Sequence, residues 1–398
     1  MPAQNSTHDV VVIGGGPGGY AAALYGASAG LNMAIVEREK VGGTCLHRGC
    51  VPAKEFLETA HVHRTIERSK EFGFTTGAVE TDFAVSQRRK QAVVDGLFKG
   101  LSGLLTGRKV TIVTGTGRLR ADRIVEILDG EDAGSVLTAP SVILAPGSVP
   151  RTLPGFEVDG RLVLTSDEFL DLSELPVRAA VIGGGAIGCE FASLLADLGV
   201  AVTVLEALPS ILTGCDRDVA AVAARAFKKK GIEIRTSVNV AGTPQLAHVG
   251  FAEAIVAIKG ILGEPTVPVE YDRVPWAIYT DPEVAYCGLT EETARERGYE
   301  VVVKKDPFAG NSRARIIGDT DGVVKVIAER RPDGTAGQLL GVHMAGPWVT
   351  EQLGAGYYAV NWEATAEEAA ALIQPHPSLS ETFGETLLAL AGRGLHVA

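Results

Sequence analysis

The chain holds no apolar run of 18 residues, no Lys/Arg run longer than Lys228 to Lys230, and only five cysteines in 398 residues. The first absence excludes a membrane-spanning helix. The opening eight residues carry neither the basic start nor the apolar stretch of a signal peptide. Scarce basic charge within a net charge of −11 sets the protein against polyanionic partners, because nucleic acid and anionic membranes would both be repelled. Small molecules or protein-borne groups are the expected substrates, and the cytoplasm the expected compartment. Cysteines at 45, 50, 189, 215 and 287 are too few and scattered for a secreted disulfide framework. In a reducing compartment a close pair reads as catalytic, while Cys189, Cys215 and Cys287 read as packing residues. Apolar side chains are plentiful: 46% hydrophobic against 21% charged suffices, at this length, for two or three domains with their own cores.

His8 to Ile13 is a β-branched run that feeds Gly14-Gly15-Gly16-Pro17-Gly18-Gly19, and an Ala-rich helical stretch from Tyr20 to Ala29 follows. Gly14 permits a tight turn, Gly16 lets a pyrophosphate approach the backbone, and Gly19 lets helix pack on strand, with the helix N-terminus supplying N–H groups. Asn32 to Val36 reads as a second strand ending at Glu37, 23 residues after Gly14 and placed to accept hydrogen bonds from a ribose. The pattern returns in a strand at Ala179 to Ile182, a turn at Gly183-Gly184-Gly185-Ala186-Ile187-Gly188, a helix from Glu190 to Leu198, and a strand to Leu205. Glu206 again lies 23 residues after the first glycine. Two such units imply one bound and one exchangeable dinucleotide, and an acid at Glu206 favours NAD over NADP.

Between them stands Gly42-Gly43-Thr44-Cys45-Leu46-His47-Arg48-Gly49-Cys50-Val51-Pro52-Ala53-Lys54. Two cysteines five apart just after a nucleotide-binding unit suggest a flavin beside a redox disulfide, although the spacing by itself equally describes two unrelated core residues. A disulfide needs Cα atoms within about 7 Å, whereas five residues of helix rise roughly 7.5 Å, so pairing requires a bent helix start, supplied by Gly49 and Pro52. His47 reads as an exposed loop residue, with modulation of thiolate character as the alternative. Near the end, Gln374-Pro375-His376-Pro377-Ser378-Leu379-Ser380-Glu381 sets a histidine between two prolines with a carboxylate five residues on. A held imidazole can serve as a base, and a lone His-Pro loop is more often ordinary turn chemistry.

Taken together these residues resemble the flavoprotein disulfide reductases, specifically their dihydrolipoamide dehydrogenase branch, from about residue 9 to 390. GGTCLHRGCVPAK is similar to that family's active-site peptide. Gly115-Thr116-Gly117, Ala145-Pro146-Gly147-Ser148 and Ala241 to His248 are similar to further family segments. The resemblance implies FAD and NAD as cofactors, with Cys45 as interchange thiol, Cys50 nearer the flavin and Lys54 close to the flavin. It makes His376 the proton acceptor, oriented by Glu381 and reaching the cysteines of the other subunit in a homodimer, with Leu379 leaning toward the lipoamide branch. The implied cofactor contacts are Gly14, Gly16, Pro17, Gly19, Glu37, Gly43, Thr44, Lys54, Gly117, Gly147, Asn239 and Ala247 for FAD. For NAD they are Gly183, Gly185, Ile187, Gly188, Glu190 and Glu206. No metal site is expected.

The expected fold is α/β: two Rossmann-like dinucleotide-binding domains, the second truncated, plus an α+β C-terminal dimerisation domain. The boundaries are an FAD-binding domain over 1–150, a truncated NAD-binding domain over 151–239, the remainder of the FAD-binding domain over 240–268, and an interface domain over 269–398. After Glu206 only a helix at Asp216 to Lys230 and a strand at Ile232 to Thr236 precede Ala241, so the second sheet should stop at three strands and expose an edge. The family's flavin-binding aspartate aligns with Asn239, which carries no charge. The expected function is electron exchange between a dithiol, such as a lipoyl group, and NAD(H) through FAD and the cysteine pair. The alternatives are a reductase of another low-molecular-weight disulfide and a catalytically impaired dimer-forming remnant.

Overall fold

The structure, a computed structural model, describes residues 5–152, 157–237 and 247–395, with side chains from residue 252 onward in the last stretch. By contact it divides into two units, one drawn from 1–59, 82–174 and 243–269, the other from 60–81, 175–242 and 270–398. Among the described residues no helix is long and apolar enough to cross a membrane.

In the first unit, β1 (Asn5–Thr7) belongs to an outer sheet, and β2 (Val10–Ile13), β3 (Met33–Glu37), β4 (Thr111–Thr114) and β8 (Ser141–Leu144) form a parallel sheet in the order β4-β3-β2-β8. The outer sheet runs β1-β7-β6-β5, with β5 (Gly117–Leu119), β6 (Ile124–Ile127) and β7 (Val136–Thr138). The parallel sheet is covered on both faces, which is why its strands are continuous Val/Ile runs. Val10, Val12, Met33 and Ile35 face a helical layer, while Val11, Ala34 and Val36 face Val125, Ile127 and Leu137 of the outer sheet.

The helical layer comprises α1 (Pro17–Ser28), α4 (Phe83–Gly107) and α8 (Ala247–Leu262). α1 begins three residues before the expected Tyr20, because Pro17 at the first helical position is pre-set for helix and gives up an N–H that has no intrahelical partner there. Short α2 (Gly43–Arg48) packs on α4 and on α5 (Ser166–Leu170). α3 (Cys50–Arg68) starts in this unit and ends in the other.

The second unit holds a parallel sheet of order β11-β10-β9, from β9 (Arg178–Ile182), β10 (Ala201–Leu205) and β11 (Glu233–Arg235), with α6 (Ala186–Asp197) and α7 (Arg217–Lys229). Among the described residues nothing pairs along the outer side of β9, and Val177 just before it and Ile182 at its end are 86% and 36% exposed. Beyond lies an antiparallel sheet of order β12-β13-β16-β15-β14, from β12 (Trp276–Ile278), β13 (Glu283–Gly288), β14 (Val301–Pro307), β15 (Val323–Arg330) and β16 (Ala336–Gly346). One face, with Ala285, Val324 and Met344, meets Leu353 of α11 (Val349–Asn361) and Phe383 and Leu387 of α13 (Glu381–Leu390). α9 (Glu291–Glu296), α10 (Ser312–Ile316) and α12 (Ala366–Ala370) complete the unit.

The opposite face carries one rung across all five strands: Trp276, Tyr286, His343, Lys325 and Lys305. The three rings stack nearly parallel, with centroids 5.7 and 5.5 Å apart. Against this face lies the start of α7. Lys325, buried, places its ammonium 2.9 Å from Asp216, 2.8 Å from Asp218 and 2.9 Å from Glu291. Burial works to lower its pKa, but the three carboxylates overcome that and raise it. A charged node thereby ties the three-stranded parallel sheet to the five-stranded antiparallel sheet.

Candidate active site

The two glycine turns have the same construction. Gly14 and Gly183 adopt φ of +107° and +105°, a region open to glycine. A Cβ on Gly19 would stand 1.8 Å from the Gly14 carbonyl oxygen, and one on Gly188 would stand 2.0 Å from that of Gly183, so only glycine lets each helix approach its strand. Gly16 and Gly185 are helix N-caps without side-chain caps, which leaves the first-turn N–H groups of α1 and α6 open to a phosphate. Glu37 accepts N–H bonds from Gly15 at 2.7 Å and Glu39 at 2.9 Å; Glu206 accepts them from Gly184 at 2.5 Å and Leu208 at 2.7 Å. Each carboxylate keeps lone pairs for ribose hydroxyls. These residues fit the ADP half of a dinucleotide in both places.

The turns differ in their walls. A Cβ on Gly14 would meet the Ala145 carbonyl oxygen at 1.9 Å, because β8 closes that side; one on Gly183 meets nothing within 4 Å. Of the other expected cofactor residues, Pro17 opens α1, and a Cβ on Gly43 would lie 2.6 Å from the Gly16 Cα. Thr44 is exposed one residue further on. Gly117 packs on Ile13 and Val36, Gly147 is exposed beyond β8, and Ile187 is 59% exposed. Glu190 is buried and accepts the Tyr279 N–H at 3.1 Å, which directs its carboxylate at the start of the interface sheet. Asn239 lies outside the described residues, as does the side chain of Ala247, the residue that opens α8.

The chain breaks between α2 and α3 at Gly49, with φ −147° and ψ −107°. This break brings the sulfurs together. Pro52 does not contribute to it, contrary to the expectation, since it sits in the first turn of α3, where a missing N–H costs nothing. The Cys45 thiol hydrogen-bonds Cys50, and that bond, followed by burial and the negative charge of a Cys50 thiolate, drives its pKa well above the usual thiol range; the Lys54 ammonium acts in the opposite sense. Tyr20, on the first turn of α1, was not legible as a site residue. Its phenol is pushed up to about 12 by burial and by the fields of Cys45 and Cys50.

Cys189, Cys215 and Cys287 are buried, with thiols pushed up first by burial, as befits packing residues. His47 is neither exposed nor in a loop. It lies half-buried in α2, with Nε2 3.0 Å from the Val41 carbonyl oxygen.

In the second unit His376 Nδ1 lies 2.7 Å from Glu381 Oε1. The other carboxylate oxygen accepts the Ser378 N–H at 2.8 Å, so Glu381, the first residue of α13, fixes both the imidazole and the loop that carries it. Buried Asn311 adds a support from 67 residues away: its Nδ2 donates to the Ser378 carbonyl at 2.9 Å while its Oδ1 caps α10 through the Ala314 N–H. The imidazole is 71% exposed, free to meet a substrate.

Comparison with known proteins agrees with this geometry. The family described as pyridine nucleotide-disulphide oxidoreductase matches residues 8–305, and its dimerisation domain matches 274–387. A dihydrolipoyl dehydrogenase of Bacillus subtilis (strain 168) is 37% identical, covering 98% of this chain and 99% of its own. One from Zymomonas mobilis is 34% identical with the same coverage. The first alignment spans 473 positions where this chain has 398 residues, so the relative carries stretches without counterpart here. LpdA from Mycobacterium tuberculosis shares the fold with a TM-score of 0.88 at 22% identity, over 98% of this chain and 100% of its own. With its two dinucleotide turns, paired cysteines and matching interface domain, the chain belongs to the pyridine nucleotide-disulphide oxidoreductases, as an FAD-dependent, NAD-linked disulfide oxidoreductase close to the dihydrolipoyl dehydrogenases.

Proposed function

We infer that the chain oxidises a dihydrolipoyl-type dithiol and passes the electrons to NAD. One observation carries this reading: Cys45 and Cys50 stand in hydrogen-bond contact across the Gly49 break, in the same unit as a complete nucleotide turn. The Gly14–Gly19 turn, Glu37 and the Gly43–Thr44 segment would hold FAD, which would supply a two-electron acceptor for the reduced pair, and the Gly183–Gly188 turn and Glu206 would hold NAD, which would supply the hydride carrier.

With Nδ1–H committed to Glu381, His376 takes the substrate thiol proton at Nε2. The resulting thiolate attacks the Cys45 sulfur of the oxidised pair, forming a mixed disulfide and releasing Cys50 as thiolate. The second substrate thiol then displaces Cys45, leaving a substrate disulfide and a reduced pair. We place His376 at the cysteine pair of a second protomer. Its exposure, the dimerisation-domain match and the exposed Tyr358, Trp362 and Ile373 of the same domain support a homodimer. We also assign 1–150 and 240–268 to FAD, 151–239 to NAD and 269–398 to the interface. We also place the protein in the cytoplasm, a reading supported by the acidic charge and the few, scattered cysteines.

A second reading is favoured by the three-stranded sheet and the open Gly183: a dithiol–flavin couple with little NAD turnover. Absorption spectroscopy of the purified protein separates the two. Bleaching of a flavin band by both dihydrolipoamide and NADH supports the full reaction, bleaching by the dithiol alone supports the second reading, and a colourless protein defeats both. Cys45→Ser is expected to abolish dithiol oxidation while leaving the flavin bound, and turnover equal to the parent would refute the role of Cys45.

A further inference from the structure

We propose that His47, seconded by Arg48, is a positioning residue whose contacts outside α2 set the dithiol–disulfide equilibrium of Cys45 and Cys50. The proposal rests on the redox reading of that pair. α2 has six residues, begins at a left-handed Gly42 without a side-chain cap and is cut off at Gly49. A helix of under two turns does not hold itself in water. Its position, and with it the Cys45 sulfur, is fixed from outside, by buried Leu46 and by the contacts of His47 and Arg48, three of the four residues between the cysteines.

His47 Nε2 lies 3.0 Å from the Val41 carbonyl oxygen, an acceptor only, so that nitrogen carries the hydrogen and donates it. The ring also stands edge-on to Phe98 of α4, with centroids 5.4 Å apart, and Lys40 sits 5.6 Å from the same phenyl centroid. Arg48 Nη2 lies 2.8 Å from Glu39 Oε2, and its Nε 3.7 Å from Asp167 Oδ2 on α5. Half exposed, this pair is the weaker support. Glu39 in turn donates its N–H to Glu37, so the segment anchoring Arg48 also holds the ribose-side acid.

Closing the disulfide moves two protons and two electrons from the thiols to an oxidant and forms one S–S bond. With glutathione disulfide as oxidant, two glutathione thiols are released. The equilibrium reports the effective concentration of one sulfur at the other. Freeing α2 lowers that concentration, so loss of the His47 contacts shifts the pair toward the dithiol and makes it easier to reduce.

The test equilibrates the FAD-loaded enzyme in glutathione buffers at neutral pH, traps free thiols and counts them by mass spectrometry. Gln presents its amide nitrogen where His has Nε2, so His47→Gln is expected within about twofold of the parent midpoint. His47→Leu and His47→Asn, which cannot donate to Val41, are expected to shift toward the dithiol by about fivefold or more, roughly 20 mV for a two-electron couple. Arg48→Gln should shift less. If His47→Leu fails to fold, as judged by flavin absorbance and melting, His47→Asn decides. Midpoints of Leu and Asn variants equal to the parent, or a Gln variant shifted as far as they are, overturn the proposal. A parent pair that never oxidises sinks the redox reading instead.

Discussion

Asp306 sits buried on β14, and its carboxyl is pushed up to about 6 by burial and then by the Glu385 carboxylate. A raised acid keeps its proton in the folded chain after the unfolded chain has lost it, so stability falls as pH climbs from about 4 to 6 and stays reduced above. Asp306→Asn is expected to gain about 1–2 kcal/mol at pH 7.5 and nothing below pH 4. Urea denaturation at the two pH values measures this, and an equal gain at both would point to another cause. At this scale the sequence was legible where contacts are short-ranged. His376 and Glu381 meet because five residues span a loop and a helix start, and Glu37 meets Gly15 through the ordinary strand-turn-helix path. Asn311 was hidden because it reaches Ser378 across 67 residues, and Tyr20 because an aromatic residue after a glycine turn carries no signal of a thiol beside it. His47 was misread as a loop residue because α2 is too short for any periodicity to mark it.

Helix α4 shows what an element can carry unused. Gly96, Gly100 and Gly103 stand in its interior, and a Cβ at each would meet nothing within 4 Å. Glycine in an exposed helix interior costs about 0.5–1 kcal/mol relative to alanine, so each Gly→Ala change should stabilise the protein by that amount. Melting temperatures of the three single variants and the triple variant check this, and a loss of stability would mean the face is occupied. Both nucleotide turns were readable because strand, glycines, helix and acid recur at fixed offsets. The individual strands of the outer sheet, β1, β5, β6 and β7, were not legible, since strands of three or four residues give alternation too little length to register. The second sheet was expected to stop at three strands by counting strands after Glu206, and among the described residues its order is β11-β10-β9.

Across the whole molecule, the division into units places the three-stranded parallel sheet with the five-stranded antiparallel sheet, and the Lys325 node is one of the polar links between them. Removing one partner of a buried ion pair strands the rest, so Lys325→Met should cost about 3–5 kcal/mol at neutral pH. Its sign with pH should also reverse. In the parent, hydrogen bonds from Lys325 depress the Asp218 and Glu291 carboxyls, a contribution present above about pH 4 and lost as pH falls. In the variant the three carboxylates repel one another, and mild acid should stabilise it; denaturation midpoints between pH 4 and 7 distinguish the two slopes. This node was illegible in sequence because its members lie at the N-cap and first turn of α7, on α9 and on β15, up to 109 residues apart. The matched pair of glycine turns has a further consequence. Titrated with ADP in a calorimeter after release of FAD, a single polypeptide offers the nucleotide the same backbone grip twice, one flanked by Ala145 and one whose first glycine has no neighbour within 4 Å of a Cβ among the described residues. The spacing between the two isotherms would weigh what an adjoining strand adds to nucleotide affinity, with solvent, temperature and protein concentration identical by construction.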